Sequence, residues 1–406
     1  MSSLLTAPPL SPQVAFPDDQ RLSDFPSLFD GDWVWRTYCS RLGEPEEIPQ
    51  RLRLRQLSYN PRRSVTATYV AEWPWDEFVT QQQFAIELIR DRPPRFFCYP
   101  DDPSLPGLAE AASPLAASRL LSRYVLATSV QRVRLDLVRY RPGGHAVLRQ
   151  KHGRVRFYVR VMRPGRVPRL MAAAELVGQT GFVLPRLAGC WAEGGVVWLA
   201  EIPGKNVRRL IRRGEDVDLN PILDSLEQLW ETPPAAGDAR PLNLHGAYRR
   251  ARRVFRQVLR DHAAIRLKLQ DATAVLDDFA RAWQPSSVAH NDFYDDQMIR
   301  VFDGRLALVD FEETGLGDPM IDVGNFLAHM RWTARFGREG ESKASGAYYQ
   351  AFRSAALQRF GWEERDLNLR EAVCIFRVCT NPVRHLAPDW PQRLDAGLSL
   401  VNEVLS

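Results

Sequence analysis

Ser287-Val-Ala-His290-Asn291-Asp292-Phe-Tyr-Asp-Asp-Gln297-Met-Ile-Arg-Val-Phe-Asp303-Gly304-Arg305-Leu-Ala-Leu-Val-Asp310-Phe-Glu-Glu is the stretch on which the fold turns. Met298 to Phe302 and Leu306 to Val309 have the look of two short strands, and Asp303-Gly304 between them is turn chemistry, so the spacing predicts a hairpin. Asp292 then precedes one strand and Asp310 ends the other, which brings the two carboxylates toward one cleft. Phosphoryl transfer from a nucleotide needs such a pair. One carboxylate orients an attacking hydroxyl and accepts its proton; the other holds the Mg²⁺ that bridges the phosphates.

Immediately downstream stands Gly315-Leu-Gly317-Asp318-Pro319-x-x-Asp322. A lone His-x-Asp occurs in many loops, but His290-x-Asp292-x-x-x-x-Gln297, then Leu-Val-Asp310-Phe-Glu, then this Gly-Asp-Pro segment form a compound pattern in order. Over residues 287–328 it resembles the aminoglycoside phosphotransferase / choline kinase branch of the kinase-like fold. The resemblance implies an α+β, bilobal protein-kinase-like fold with a small β-rich N-lobe over 126–202 and a mainly helical C-lobe over 203–406. Residues 31–125 are then an additional β-containing, cap-like region behind a loose arm at 1–30, a cap like that of maltokinase-like sugar kinases by fold analogy alone. It implies Asp292 as catalytic base, Asp310 as principal metal ligand, and ATP with Mg²⁺ as cofactors. Gln297 stands where the family usually has Asn; an amide oxygen still ligates Mg²⁺ from a side chain one methylene longer. His290 is either a hydrogen-bonding prop of the loop or an ordinary satisfied histidine. Asp318, just before Pro319, is a natural helix N-cap, and Asp322, one turn on, points back at the catalytic loop.

Working toward the N-terminus, Val133–Tyr140, the turn Arg141-Pro142-Gly143-Gly144, His145–Gln150, Val155–Met162, a helix over Pro168–Gly178 and Gly195–Glu201 give the order β-β-β-α-β, which matches the nucleotide lobe of that family together with the Glu201-x-Pro-Gly linker. The family carries a Lys on the third strand and a Glu on the next helix; here Arg160 takes the place of Lys and Glu175 is the expected partner. Arginine keeps the charge and grips phosphate bidentately, but its planar fork is not an ammonium point charge. Arg160 in an ordinary ion pair, with poor nucleotide binding, is the other reading. The Gly143-Gly144 turn is placed over the phosphates, since Gly permits close backbone approach, and Glu201 and Ile202 at the adenine. A hairpin over Arg51–Tyr59 and Val65–Tyr69 lies further upstream, with a proline-dense stretch over 91–115 hostile to regular structure between the two hairpins.

Composition bounds the rest. The 406 residues suffice for two or three domains, and 45% hydrophobic with 25% charged residues is globular. A net charge of +5 falls short of a dedicated nucleic-acid binder, so Arg249, Arg250, Arg252, Arg253 and Arg256 read as a solvated helix face rather than a DNA contact. No apolar run is long enough for a membrane span, and the N-terminus lacks a secretory pattern, so the cytoplasm is expected. Five cysteines without CxxC spacing read as reduced residues. The expected activity is ATP-dependent transfer of a phosphoryl group to a hydroxyl of a small molecule, a sugar, amino sugar or aminoglycoside; the alternative is a catalytically impaired pseudokinase. Basic residues slightly outnumber acidic ones over 331–406, so an uncharged or sugar-like alcohol stands at least level with an aminoglycoside as the expected substrate.

Overall fold

A computed structural model describes residues 19, 21–22, 24–43, 48–75, 78–126, 128–234, 241–259 and 262–406. Helix α1 (Gly31–Leu42) begins at Asp30, whose side chain accepts from the Asp32 and Trp33 amides. Strands β1 (Arg51–Asn60), β2 (Ser64–Trp75), β3 (Phe78–Ile89) and β4 (Arg92–Cys98) form an antiparallel sheet in sequential order. The first hairpin was expected; β3 and β4 were not. Pro93 and Pro94 are tolerated because β4 is an edge strand with a register shift opposite Glu87–Ile89. The expected loose arm does not extend to residue 30: Leu22, Phe25 and Leu28 are buried, and Asp19 accepts from the Tyr59 hydroxyl at 2.8 Å. Residues 1–18 of that arm lie outside the described residues.

Helices α2 (Leu108–Ala112) and α3 (Pro114–Leu121) precede a second sheet of β5 (Arg134–Arg141), β6 (His145–His152), β7 (Val155–Met162), β8 (Leu187–Trp191) and β9 (Val196–Ala200), ordered β5-β6-β7-β9-β8 with helix α4 (Val167–Val177) between β7 and β8. Strand β8 adds to the expected order. Leu108, Ala117 and Leu121 share one core with Leu148, Phe157 and Trp198. The boundary expected at 125 is therefore corrected: α2 and α3 belong to the second sheet's lobe.

The remainder is helical around small β elements: β10 (Gly204–Asn206), α5 (Val207–Arg212), α6 (Asn220–Glu231), α7 (Leu244–Val258), α8 (Ala263–Ala282), β11 (Ser287–Ala289), β12 (Met298–Val301), β13 (Leu306–Leu308), β14 (Gly315–Gly317), α9 (Pro319–Phe336), α10 (Glu339–Phe360), α11 (Glu364–Val378), α12 (Asn381–Arg384) and α13 (Trp390–Leu405). Two cores result. One joins α4, α5, α6, α9 and α10 under the catalytic stretch, with Phe293, Phe326 and Phe352 fully buried. The other joins the first sheet to the helical lobe: Tyr59, Tyr69 and Phe84 belong to one cluster with Tyr248, Phe255 and Phe376, the last two rings 4.4 Å apart. The N-terminal region is thus built onto the C-lobe, and Arg62 Nε donating to Gln257 at 2.6 Å and His385 Nδ1 lying 3.0 Å from the Leu57 carbonyl tie the two together. The five cysteines are all free, and among the described residues no helix is long and apolar enough to cross a membrane.

Candidate active site

The expected hairpin forms, β12 pairing with β13 around Asp303-Gly304, while β11 pairs with β14 and so draws residues 290–292 alongside 310–315. Two residues there hold left-handed backbone, Asn291 at φ 69° and Asp310 at φ 63°, a conformation that non-glycine residues keep only where their surroundings enforce it. At Asn291 the enforcement comes from Asp322. Asp318 caps α9 by accepting from the Met320 amide at 2.9 Å, and one turn later the Asp322 carboxylate accepts from His290 N at 2.8 Å, Asn291 N at 2.7 Å and Trp230 Nε1 at 3.1 Å. Asn291 Nδ2 donates to the Glu313 carbonyl at 3.0 Å, locking the loop to the segment after Asp310. Burial pushes the Asp322 carboxyl up to about 7 despite these three donors.

Asp292 opens into the cleft with 43% of its side chain exposed, 3.8 Å from Arg377 Nη2. The protein around it still withdraws enough solvent to push its carboxyl up to about 6; Arg377 opposes the shift, and Asp310 and Glu313 add to it. Arg377 was not anticipated. The available signal was a single arginine following the buried run Ala372–Phe376 on α11.

Asp310 presents a carboxylate with 46% exposure. Gln297 is buried, its Oε1 accepting from Tyr294 N at 3.3 Å and its Nε2 without a partner. The half-exposed Asp310 carboxylate fits Mg²⁺, which takes few protein ligands and fills its shell from phosphates and water; the Gln297 oxygen, the only atom of that carboxamide able to ligate a cation, accepts from Tyr294 N and would add to it through its second lone pair. Among the described residues no three His, Cys, Asp or Glu side chains form a cage of their own. His290 departs from both expectations: it is fully buried, neither ring nitrogen has a partner, and burial lowers its pKa to about 4, so it packs as a neutral ring 5.7 Å from Phe293.

On the N-lobe side Arg160 reaches the site but not by the expected pairing. Its Nη2 lies 3.3 Å from Asp310 Oδ1 and contacts Glu312 Oε1. Glu175 is corrected as its partner: α4 buries Val167, Leu170, Ala173, Leu176 and Val177, and Glu175 projects from the exposed face. Arg169 adds a second bridge, donating to the Glu312 carbonyl at 3.0 Å and to Glu313 at 2.6 Å. Between these bridges the cavity lined by His145, Arg160, Arg166 and Glu312 holds about 30 Å³. The turn at Gly143 (φ 65°) and Gly144 is present, but both amides are engaged: Gly143 N donates to buried Asp102 at 2.7 Å and Gly144 N to the Arg141 carbonyl at 2.9 Å. Glu201, just after β9, is bridged by Arg149 at 2.5 Å and Arg156 at 3.4 Å, with its amide donating to the Arg156 carbonyl; Ile202 follows it, partly buried.

A family model described as the phosphotransferase enzyme family, APH, matches residues 122–367. The chain belongs to this family. The match takes in both lobes of the site, from the second sheet through Asp292, Asp310 and Asp322 to the start of α11. No curated protein matches the chain. Among solved structures this APH-family chain is similar to an aminoglycoside phosphotransferase from Ralstonia eutropha JMP134 (16% identity, 71% of this chain and 97% of that one, TM-score 0.47). It is also similar to an ethanolamine kinase of Plasmodium vivax (12%, 67% and 84%, 0.46) and to the choline kinase LicA of Streptococcus pneumoniae (12%, 71% and 98%, 0.43).

Proposed function

We propose that the chain is an ATP- and Mg²⁺-dependent phosphotransferase acting on a hydroxyl of a small molecule. The observation that carries this is Asp292: a half-exposed carboxylate on a loop fixed by Asp322 and near enough to Asp310 for the two charges to repel. Its carboxyl, raised to about 6, is ionised near neutrality yet more basic than an ordinary aspartate, which suits a group that accepts a proton from an alcohol. When bound, Mg²⁺ supplies neutralisation of the phosphate charge, and Asp310 and Gln297 are the residues that would hold it. Arg160 leaves Asp310 and Glu312 to meet the phosphates, Ile202 meets the base at the linker, and Asp292 orients the acceptor hydroxyl and takes its proton.

A second reading, nucleotide binding without transfer, is favoured by the two arginine bridges that close the cleft and by the Gly143 amide engaged by Asp102. Coupled detection of ADP over a panel of sugars, amino sugars, aminoglycosides and choline-like alcohols, run beside thermal titration with ATP and Mg²⁺, separates the two. Acceptor-dependent ADP formation supports the phosphotransferase; stabilisation by ATP with no transfer to any acceptor rejects it.

A further inference from the structure

Between the first sheet and helices α7, α11 and α12 lies a cavity of about 410 Å³, within the size range of small-ligand sites. Ser58, Asn60, Thr66 and Thr68 line it from β1 and β2, Arg141 from the glycine turn, and Arg250, Arg377 and Arg384 from the helices. Arg377 joins this cavity to the catalytic loop, because its Nη2 is the group 3.8 Å from Asp292, while its Nη1 is buried without a partner. We propose that this cavity is the acceptor site and that it selects an anionic polyol, a phosphorylated sugar or a compound of that kind. The proposal rests on the phosphotransferase reading and names its substrate class.

Four guanidinium groups converge there. Among the described residues no carboxylate pairs with Arg141, Arg250 or Arg384, and Glu87, the acidic residue of the lining, lies 3.7 Å from Arg95. Desolvation and neighbouring cations depress all three guanidinium pKa values: Arg384 is opposed by Arg141 and Arg250, Arg250 by Arg377 and Arg63, and Arg141 by Arg139 and Arg166 outside the lining. Like charges gathered around one cavity without counter-charge are unfavourable, and an anion accepting several charge-assisted hydrogen bonds relieves them. The hydroxyl and amide side chains on the β1–β2 wall are the complement of a polyol's hydroxyls. Next to the cavity a hollow of about 400 Å³ is lined wholly by arginine, including Arg62, Arg63, Arg249 and Arg253, and Arg63 faces both groups. The arginines of α7, expected to be a solvated face, thus meet others from the β1–β2 turn and form a positive approach that concentrates anions and repels polycations.

The test is calorimetric titration of the full chain at low salt, without nucleotide, with inorganic phosphate, glucose 6-phosphate, glucuronate, glucose and the polycation kanamycin. The expected result is saturable binding of glucose 6-phosphate, weaker binding of phosphate and glucuronate, and none of glucose or kanamycin. Arg384→Glu should weaken glucose 6-phosphate at least about tenfold, as should Arg250→Glu on the exposed face of α7, where folding is not at stake, since each loses a hydrogen bond between charged groups. Glucuronate binding more tightly than glucose 6-phosphate moves the assignment to carboxylates. No binding of any anion, equal binding of glucose, or affinity indifferent to both substitutions overturns the proposal. ADP formation with the same compounds keeps the two ideas apart: anion binding with no transfer to any compound removes the phosphotransferase reading and leaves the cavity an anion site but not an acceptor site, whereas transfer to neutral or cationic alcohols without anion binding removes this proposal alone.

Discussion

Glu312→Gln should tighten ATP binding. Arg160 is the N-lobe cation nearest the candidate metal ligand, and its Nη2 is held by both Asp310 and Glu312. Phosphate can recruit it only after those contacts part. The Arg160 and Glu312 side chains are 15% and 26% exposed, so the pair is worth more than a surface bridge of about 0–1 kcal/mol. It is worth less than the roughly 3–5 kcal/mol lost on breaking a fully buried one. Burial raises the Glu312 carboxyl, Arg160 opposes that shift, and Asp310 and Glu313 reinforce it, so a neutral glutamine also relieves repulsion among three acids. About 1–2 kcal/mol should become available to the nucleotide, which is about 5–30-fold in affinity. Calorimetric titration of wild type and Glu312→Gln with ATP in excess Mg²⁺ measures it directly. Unchanged or weaker affinity in the variant would refute the idea that this ion pair competes with phosphate.

Turnover should be flat above about pH 6 and fall about tenfold per pH unit below it, because protonation of Asp292, whose carboxyl is raised to about 6, removes the base. Arg377→Gln should move that limb up by about one pH unit, since a cation 3.8 Å away contributes about 1–2 kcal/mol in a half-exposed setting; a limb that stays put excludes the assignment. Asp322→Asn should cut turnover about 100-fold by loosening the loop, the scale expected for misplaced catalytic groups. The same variant carries a signature in stability. The folded chain holds the Asp322 proton more tightly than the unfolded chain, so this contribution is full below the ordinary carboxyl range and lost as pH rises through about 7. Melting temperatures of Asp322→Asn should therefore decline less than wild type between pH 5 and 8, and parallel curves would contradict the shift. Asp102→Ala leaves the Gly143 amide and Tyr140 hydroxyl without their acceptor, at a cost of about 2–4 kcal/mol, and hydrogen exchange over 140–145 should accelerate; unchanged protection would show the anchor to be dispensable.

The catalytic hairpin was legible because its determinants are local: short apolar strands, an Asp-Gly turn, and an aspartate before a proline at a helix start. The partner of Arg160 was not, although the spacing of Val167, Leu170, Ala173 and Leu176 already turns Glu175 outward; its actual partners lie 150 residues and more downstream, where only tertiary structure brings them. Strand β3 escaped because Gln81-Gln82-Gln83 interrupts its apolar run and both faces are buried from Phe84 to Ile86, which erases alternation. Strand β4 escaped because its prolines are acceptable only at an edge. The arginines of the large cavity come from a strand end near 141, α7, α11 and α12, so no window of sequence contains them together. Attachment of the first sheet to the helical lobe rests on a shared apolar cluster and on long-range contacts such as Arg62 to Gln257 and His385 to the Leu57 carbonyl, which periodicity does not assign to partners.

The decisive measurement is detection of γ-phosphoryl transfer by ³¹P NMR for wild type and Asp292→Asn under saturating ATP and Mg²⁺. Wild type should form a new phosphoester with an acceptor, and the variant should bind ATP with unchanged affinity while losing transfer by at least about 100-fold. Equal product formation by the two proteins would contradict the role given to Asp292.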